Sequence, residues 1–408
     1  MIYSGGAILG RLVSAASPFL IIKVIDPTEF GKLSLINNLI GILSILFGLG
    51  LRQTLAIEFF LTSQPWHLIW HLFLIYMIGI VPCLALIMIG LKQLGIFNLG
   101  MISPTILSLV FVVGITNFIP ELGLQLWRFQ YQARRASLMQ IGLSGLNGLL
   151  VLLLIKASSL NIVKLLLAQL ASQLIIGLIF VHQLCQSYEQ FSWPTGREVC
   201  KYLKVGLPFI PNLFFAWLII ASNRWLLHYH GVELATIGRY SLAENLALIF
   251  QTIITLPLIH SFIPHAMQKM ATDKQLWVID RQNLYLATYF IGGGSLLICA
   301  LASLIPSFAS LLPAGYRAAT PLICPLLLAQ LIFAASQITG ATIQYLKQTH
   351  YLALGMATGA MVGAIINWYL IPAYGANSCL IASNVAYLTY FGAILALKTW
   401  IFAKFQPF

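Results

Sequence analysis

Apolar runs follow one another along almost the whole chain, and those at 68–91 and 106–119 meet the need for about 20 predominantly apolar residues in a bilayer-crossing helix. Hydrocarbon offers backbone groups no water to bond, so segments of this kind must close their hydrogen bonds internally, as helices or as a sealed barrel. The alternation expected of barrel strands is not seen. Residues are 60% hydrophobic and 8% charged, with a mean hydropathy of +0.91, whereas a soluble domain carries about 25% charged residues. A water-soluble fold is excluded, and the chain is read as an all-α polytopic membrane protein.

Turn chemistry divides the apolar sequence into about twelve spans, near 2–24, 32–51, 66–90, 104–127, 137–155, 162–183, 204–227, 240–262, 283–304, 318–343, 350–370 and 377–398. Arg11 interrupts the first apolar stretch and no basic leader precedes it, so that stretch reads as a retained helix rather than a cleaved signal. Lys and Arg stay on the cytoplasmic side of a membrane. Arg52, the cluster Arg128, Arg134 and Arg135, the group Arg197, Lys201 and Lys204, then Lys269, Lys274, Arg281, Lys347, Lys398 and Lys404 fall on one set of alternate connections. The opposite set is poorer, which places both termini in the cytoplasm. The basic aromatic run around Arg128 then meets anionic lipid headgroups, not nucleic acid.

Residues 29–39 (EFGKLSLINNL) lie without gaps on residues 236–246 (TIGRYSLAENL), matching Gly31 to Gly238, Ser34 to Ser241 and Asn38 to Asn245. The offset is half the chain and six spans separate the two copies, so the halves read as parallel repeats, 1–195 and 196–408. Transporters built this way bind substrate between their halves.

The first-loop pattern Ile25-Asp26-Pro27-Thr28-Glu29-Phe30-Gly31-Lys32-Leu33, followed by Phe47-Gly48-Leu49-Gly50-Leu51-Arg52, resembles the opening of the polysaccharide transporters, or O-antigen-type flippases, of the multidrug/oligosaccharidyl-lipid/polysaccharide (MOP) superfamily. Gly206-Leu207-Pro208, Ser222-Asn223-Arg224, Gly231 and Ile237-Gly238-Arg239-Tyr240-Ser241 resemble its second half. The chain departs from the family in lacking a short lead before the first span. The resemblance implies about twelve helices in two six-helix lobes, with the first, second, seventh and eighth lining a central cavity. It also implies movement of an undecaprenyl-pyrophosphate-linked oligosaccharide from the inner to the outer leaflet of a bacterial inner membrane. The product would enter capsule, O-antigen or exopolysaccharide, with polymerase or export proteins as partners of a monomeric transporter.

Such cargo requires cations and amides shielded from lipid. Ionisable groups within spans are costly and face a cavity or a partner. Arg11 either grips pyrophosphate oxygens with its forked guanidinium or snorkels, or pairs with Glu121 or Glu244. Arg224 and Arg239, near the outer ends of the seventh and eighth spans, either receive the headgroup or snorkel. Asn37, Asn38, Asn223 and Asn245 either bond sugar hydroxyls or join helices. Glu121 and Glu244, acids within spans, are the ion-coupling candidates, with a salt bridge as the alternative for Glu244.

No cofactor or metal is expected. His67 and His71 share a helix face, but no third ligand stands at a convincing spacing, so they read as interfacial histidines. The six cysteines are scattered and form no C-x-x-C pair. No G-x-x-x-x-G-K-[ST] stretch occurs, so the chain is not expected to hydrolyse ATP. The competing readings are a multidrug antiporter of the same superfamily and a membrane-embedded glycan-processing enzyme. The second lacks a compact acid/base set.

Overall fold

The computed structural model describes residues 18–408 except 60, 61, 63, 64, 94–102, 131, 158, 159, 188–191, 347, 406–408 and most of 252–275. Every regular element among them is helical. In chain order the α-helices are α1 (Pro27–Phe47), α2 (Leu51–Glu58), α3 (Pro65–Leu74), α4 (Val81–Gln93), α5 (Pro104–Thr116), α6 (Phe118–Phe129), α7 (Ala133–Lys156), α8 (Ile162–Ser187), α9 (Gly196–Gly206), α10 (Ile210–Tyr229), α11 (Leu234–Phe250), α12 (Leu276–Leu311), α13 (Thr320–Tyr345), α14 (Thr349–Tyr374) and α15 (Ala376–Phe405). They include ten candidate spans among the described residues. Leu86, Leu178, Leu296 and Leu311 stand exposed on these spans, as expected where lipid rather than water is the surrounding solvent. The chain is a multi-pass membrane protein.

Local chemistry accounts for the interruptions. Pro82 cannot donate to the carbonyl four residues back, and a π-helical turn over Ile75–Ile80 precedes it where α3 passes into α4. Pro120 likewise frees the carbonyl of Thr116, and the predicted 104–127 span divides there into α5 and α6. Thr195 and Glu198 form a reciprocal capping box at the start of α9. Part of the stretch between the predicted spans 162–183 and 204–227 is therefore helical. Gly231 adopts φ +74° after α10, with Val232 N–H reaching back to the Leu227 carbonyl, so the chain can turn directly into α11.

The chain divides into two compact units, Met1–Val24 with Leu35–Phe214, and Ile25–Ser34 with Phe215–Phe408. The first has a core of Leu51, Leu55, Ile69, Tyr76, Leu122, Trp127 and Phe180. A second cluster there packs Ile36, Ile40 and Phe47 of α1 on Val110, Phe111 and Leu166. In the second unit Ile219, Ala329, Ile343, Tyr387, Tyr390 and Ile394 form the core. Its α14 and α15 approach closely: Gly355, Gly359 and Gly363 meet Ala386 and Tyr390, and a Cβ on Gly359 would lie 2.7 Å from the Ala386 carbonyl oxygen. Small residues spaced by four are how helices pack in lipid, where apolar burial drives little association.

The start of α1 packs within the second unit against the start of α11. A Cβ on Gly31 would lie 2.1 Å from the Leu234 carbonyl oxygen, and one on Gly238 2.0 Å from that of Pro27. Ser34 and Ser241 hydroxyls are 2.8 Å apart, at a sequence separation of 207. That separation is the repeat offset, so Gly31 lies against Gly238 and Ser34 against Ser241, each against its own counterpart.

Candidate functional site

A polar cluster lies inside the second unit, assembled by α10, α11, α14 and α15. Arg224 Nη2 is 2.5 Å from Glu244 Oε2, and both side chains are nearly inaccessible. Asn223 Nδ2 donates to Tyr240 Oη at 2.8 Å and to Ser383 Oγ at 2.9 Å, while its Oδ1 accepts from Asn367 Nδ2 at 2.6 Å. Tyr240 in turn donates to Glu244 Oε1 at 3.4 Å. Ser222, Asn223, Gly363 and Ser383 line a small pocket in the same unit. Neutral amides and hydroxyls thus surround one cation and one anion that cancel, which is how a buried pair is tolerated.

The same unit holds a second ion pair. Asp280 accepts from Thr342 Oγ1 at 2.5 Å and lies 2.5 Å from Lys398 Nζ. Neither was visible as a buried residue in the sequence, because the hydropathy window placed Asp280 before its span and Lys398 at the end of one. The span helix begins earlier than expected, at Leu276.

In the first unit Arg52 Nη1 bonds Glu121 Oε2 at 3.3 Å, with both side chains partly accessible. Gln173, almost fully buried, accepts from Thr116 Oγ1 at 2.7 Å and donates to Asn117 Oδ1 at 3.2 Å. Gln173, with Gln169 and Ser172 in an otherwise apolar run, was the signal that would have found this cluster.

The sequence candidates are therefore distributed. Arg11 lies outside the described residues. Glu244 and Glu121 each have an arginine partner, but these are Arg224 and Arg52. Asn223 spends its amide hydrogens and one acceptor site on neighbouring helices. Arg239 donates from Nε to the Gly315 carbonyl at 2.9 Å. Asn38 and Asn245, matched by the repeat, are both half-buried, whereas Asn37 is exposed and its counterpart Glu244 is buried. Lys32 pairs with Glu29 at 2.6 Å, and Lys23 is exposed.

The helix order and interrupted spans define a class, that of all-α multi-pass membrane proteins. The fold is similar to an inward-facing multidrug resistance MATE family transporter of the MOP superfamily, with TM-score 0.72 at 15% identity over 95% of this chain and 96% of that one. It is also similar to the lipid II flippase MurJ in an inward closed conformation, with TM-score 0.76 at 12% identity over 97% of this chain and 87% of that one. A Vibrio cholerae MATE transporter gives TM-score 0.68 at 15% identity over 98% and 96%. A sequence comparison with curated proteins returns no match. The family model described as polysaccharide biosynthesis protein matches residues 1–270. The chain belongs to that family.

Proposed function

We propose that this protein is a flippase that carries an undecaprenyl-pyrophosphate-linked oligosaccharide from the inner to the outer leaflet by alternating access. The observation that carries the reading is membership of the polysaccharide biosynthesis family on a fold shared with a lipid II flippase. No chemical step is assigned to the chain. The setting is a bacterial cytoplasmic membrane with both termini inside, and polymerase or export proteins take up the product.

Energetics favour this direction. An inside-negative potential of about 100 mV drives an anion outward by roughly 2.3 kcal/mol per charge. A pyrophosphate of about two charges then gains several kcal/mol without a coupled ion. Arg11, Asn37, Asn38, Arg239 and Asn245 are the proposed contacts for headgroup and sugar. Asn223 and Arg224 act through the buried cluster. Glu244 couples to an ion: a proton or Na⁺ taken up on its carboxylate would weaken its hold on Arg224 and free a guanidinium for phosphate. Glu121 does the same for Arg52.

The test is complementation of a flippase-deficient strain. Arg11→Ala should express and insert normally yet reduce surface glycan by at least about tenfold, the loss expected for a charge-assisted phosphate contact. Normal export by a well-expressed Arg11→Ala protein would remove Arg11 from the mechanism. The MATE fold supports a second reading, multidrug antiport. Drug resistance conferred by the wild-type chain, without restored glycan export, would establish that reading instead.

A further inference from the structure

The structure joins His67 and His71 to a third residue that lies far away in sequence. The two imidazoles sit in the first turns of α3 with ring centroids 3.8 Å apart. Glu198, in the first turn of α9, places Oε1 3.6 Å from His71 Nδ1. One donor atom from each of the three side chains falls within 4.8 Å of the others.

Surrounding bonds decide which atoms remain available. Glu198 Oε2 accepts from the Thr195 backbone N–H and from Thr195 Oγ1, both at 2.8 Å, which leaves Oε1 directed at the histidines. His71 Nε2 lies 3.1 Å from Ser192 Oγ. That contact satisfies the far side of the ring and turns Nδ1 toward Glu198, the arrangement by which a neighbouring group orients a metal-binding imidazole. The His71 side chain is 1% exposed, and its Nδ1 has no hydrogen-bond partner. A separation of 3.6 Å is too long for a direct hydrogen bond to Glu198. It suits two ligands on one ion, since donors about 2.0–2.1 Å from a tetrahedral zinc stand about 3.3 Å apart.

We propose that His67, His71 and Glu198 bind a divalent transition cation of the zinc class, with the fourth position left to water. Two imidazoles and one carboxylate suit zinc, whereas magnesium and calcium take oxygen ligands. The ion fastens α9 to α3 inside the first unit. It extends a line of contacts that already holds α9 on α2: Gly50 against Gly206, Thr54 Oγ1 donating to the Tyr202 carbonyl at 2.8 Å, and Lys201 Nζ 2.5 Å from Glu58 Oε2.

The experiment uses the full-length chain without a histidine tag, purified in detergent, stripped with chelator and titrated with Zn²⁺ by calorimetry. Co²⁺ absorption serves as the geometric readout. One Zn²⁺ per chain is expected, together with the intense visible band of four-coordinate Co²⁺ and a rise in thermal midpoint on adding zinc. Glu198→Gln keeps a residue able to complete the capping box, so it should fold while binding zinc at least tenfold more weakly. His67→Ala, at the less buried ligand, should do the same and lose the cobalt band. Equal zinc affinity in the wild type and both variants, or no binding by the wild type, would overturn the site. Glycan export enters none of these measurements, so the result stands apart from the transport reading.

Discussion

Glu244 is tolerated in the interior because Arg224 lies 2.5 Å from it, and the reverse holds for Arg224. Removing one partner strands the other charge, which costs about 3–5 kcal/mol for a buried pair, while replacing both with apolar groups is close to neutral. Glu244→Gln and Arg224→Leu should each lower the thermal midpoint in detergent by several degrees, whereas Arg224→Leu/Glu244→Leu should restore it. If the double variant is stable but fails to export glycan, the pair serves transport; if it exports normally, the pair serves folding alone. Single variants as stable as the wild type would show that the two charges do not depend on each other. The sequence marked Glu244 as an acid in an apolar run, and that much follows from cost alone. It did not name the partner, because Arg11 and Arg224 are equally basic on paper and only the crossing of α10 and α11 decides between them. Lys398 illustrates the converse: a charge near a span end reads as topological, yet here it is buried against Asp280.

The contact between α1 and α11 shows what a repeat says about structure and what it leaves out. Matching Gly31 with Gly238 and Ser34 with Ser241 identified equivalent positions, but equivalence does not imply contact. The fold brings those positions together, and glycine is needed because the atoms opposite are carbonyl oxygens that no rotamer change can move. Overpacking costs about 1–3 kcal/mol when side chains can yield, and here that range is a lower bound. Gly31→Ala and Gly238→Ala should therefore each sharply reduce the yield of folded protein in detergent chromatography. Gly148→Ala in α7, where a Cβ meets nothing within 4 Å, should be neutral or gain up to about 1 kcal/mol from helix propensity. Equal yields from all three variants would refute the close crossing. Helix breaks were legible to differing degrees at this scale. Pro120 stood in plain view inside a span, and Thr195-x-x-Glu198 carried a capping signature that marks α9 even beside a Pro-Gly turn. The π turn before Pro82 was not legible, since a proline can be absorbed by a kink as readily as by a wider turn.

Hydropathy carries most of the information at the scale of the whole molecule, because lipid imposes one requirement on every span. That is why the all-helical, multi-pass architecture was readable before any coordinate. Side-chain pairing was not, since it depends on which faces meet. Orientation rests on a different quantity, the excess of Lys and Arg on one set of connections, and labelling from either side checks it directly. Cys200 is exposed in α9, on the set rich in Arg197, Lys201 and Lys204, while Glu233 is exposed on the opposite set just before α11. A chain retaining Cys200 alone should react with a membrane-impermeant maleimide only after the cells are permeabilised. A cysteine-free chain carrying Glu233→Cys should react in intact cells. The opposite pattern would invert the protein in the membrane. The potential would still drive the pyrophosphate out of the cytoplasm, now from the Glu233 side to the Cys200 side, and the cytoplasmic placement of both termini would fall.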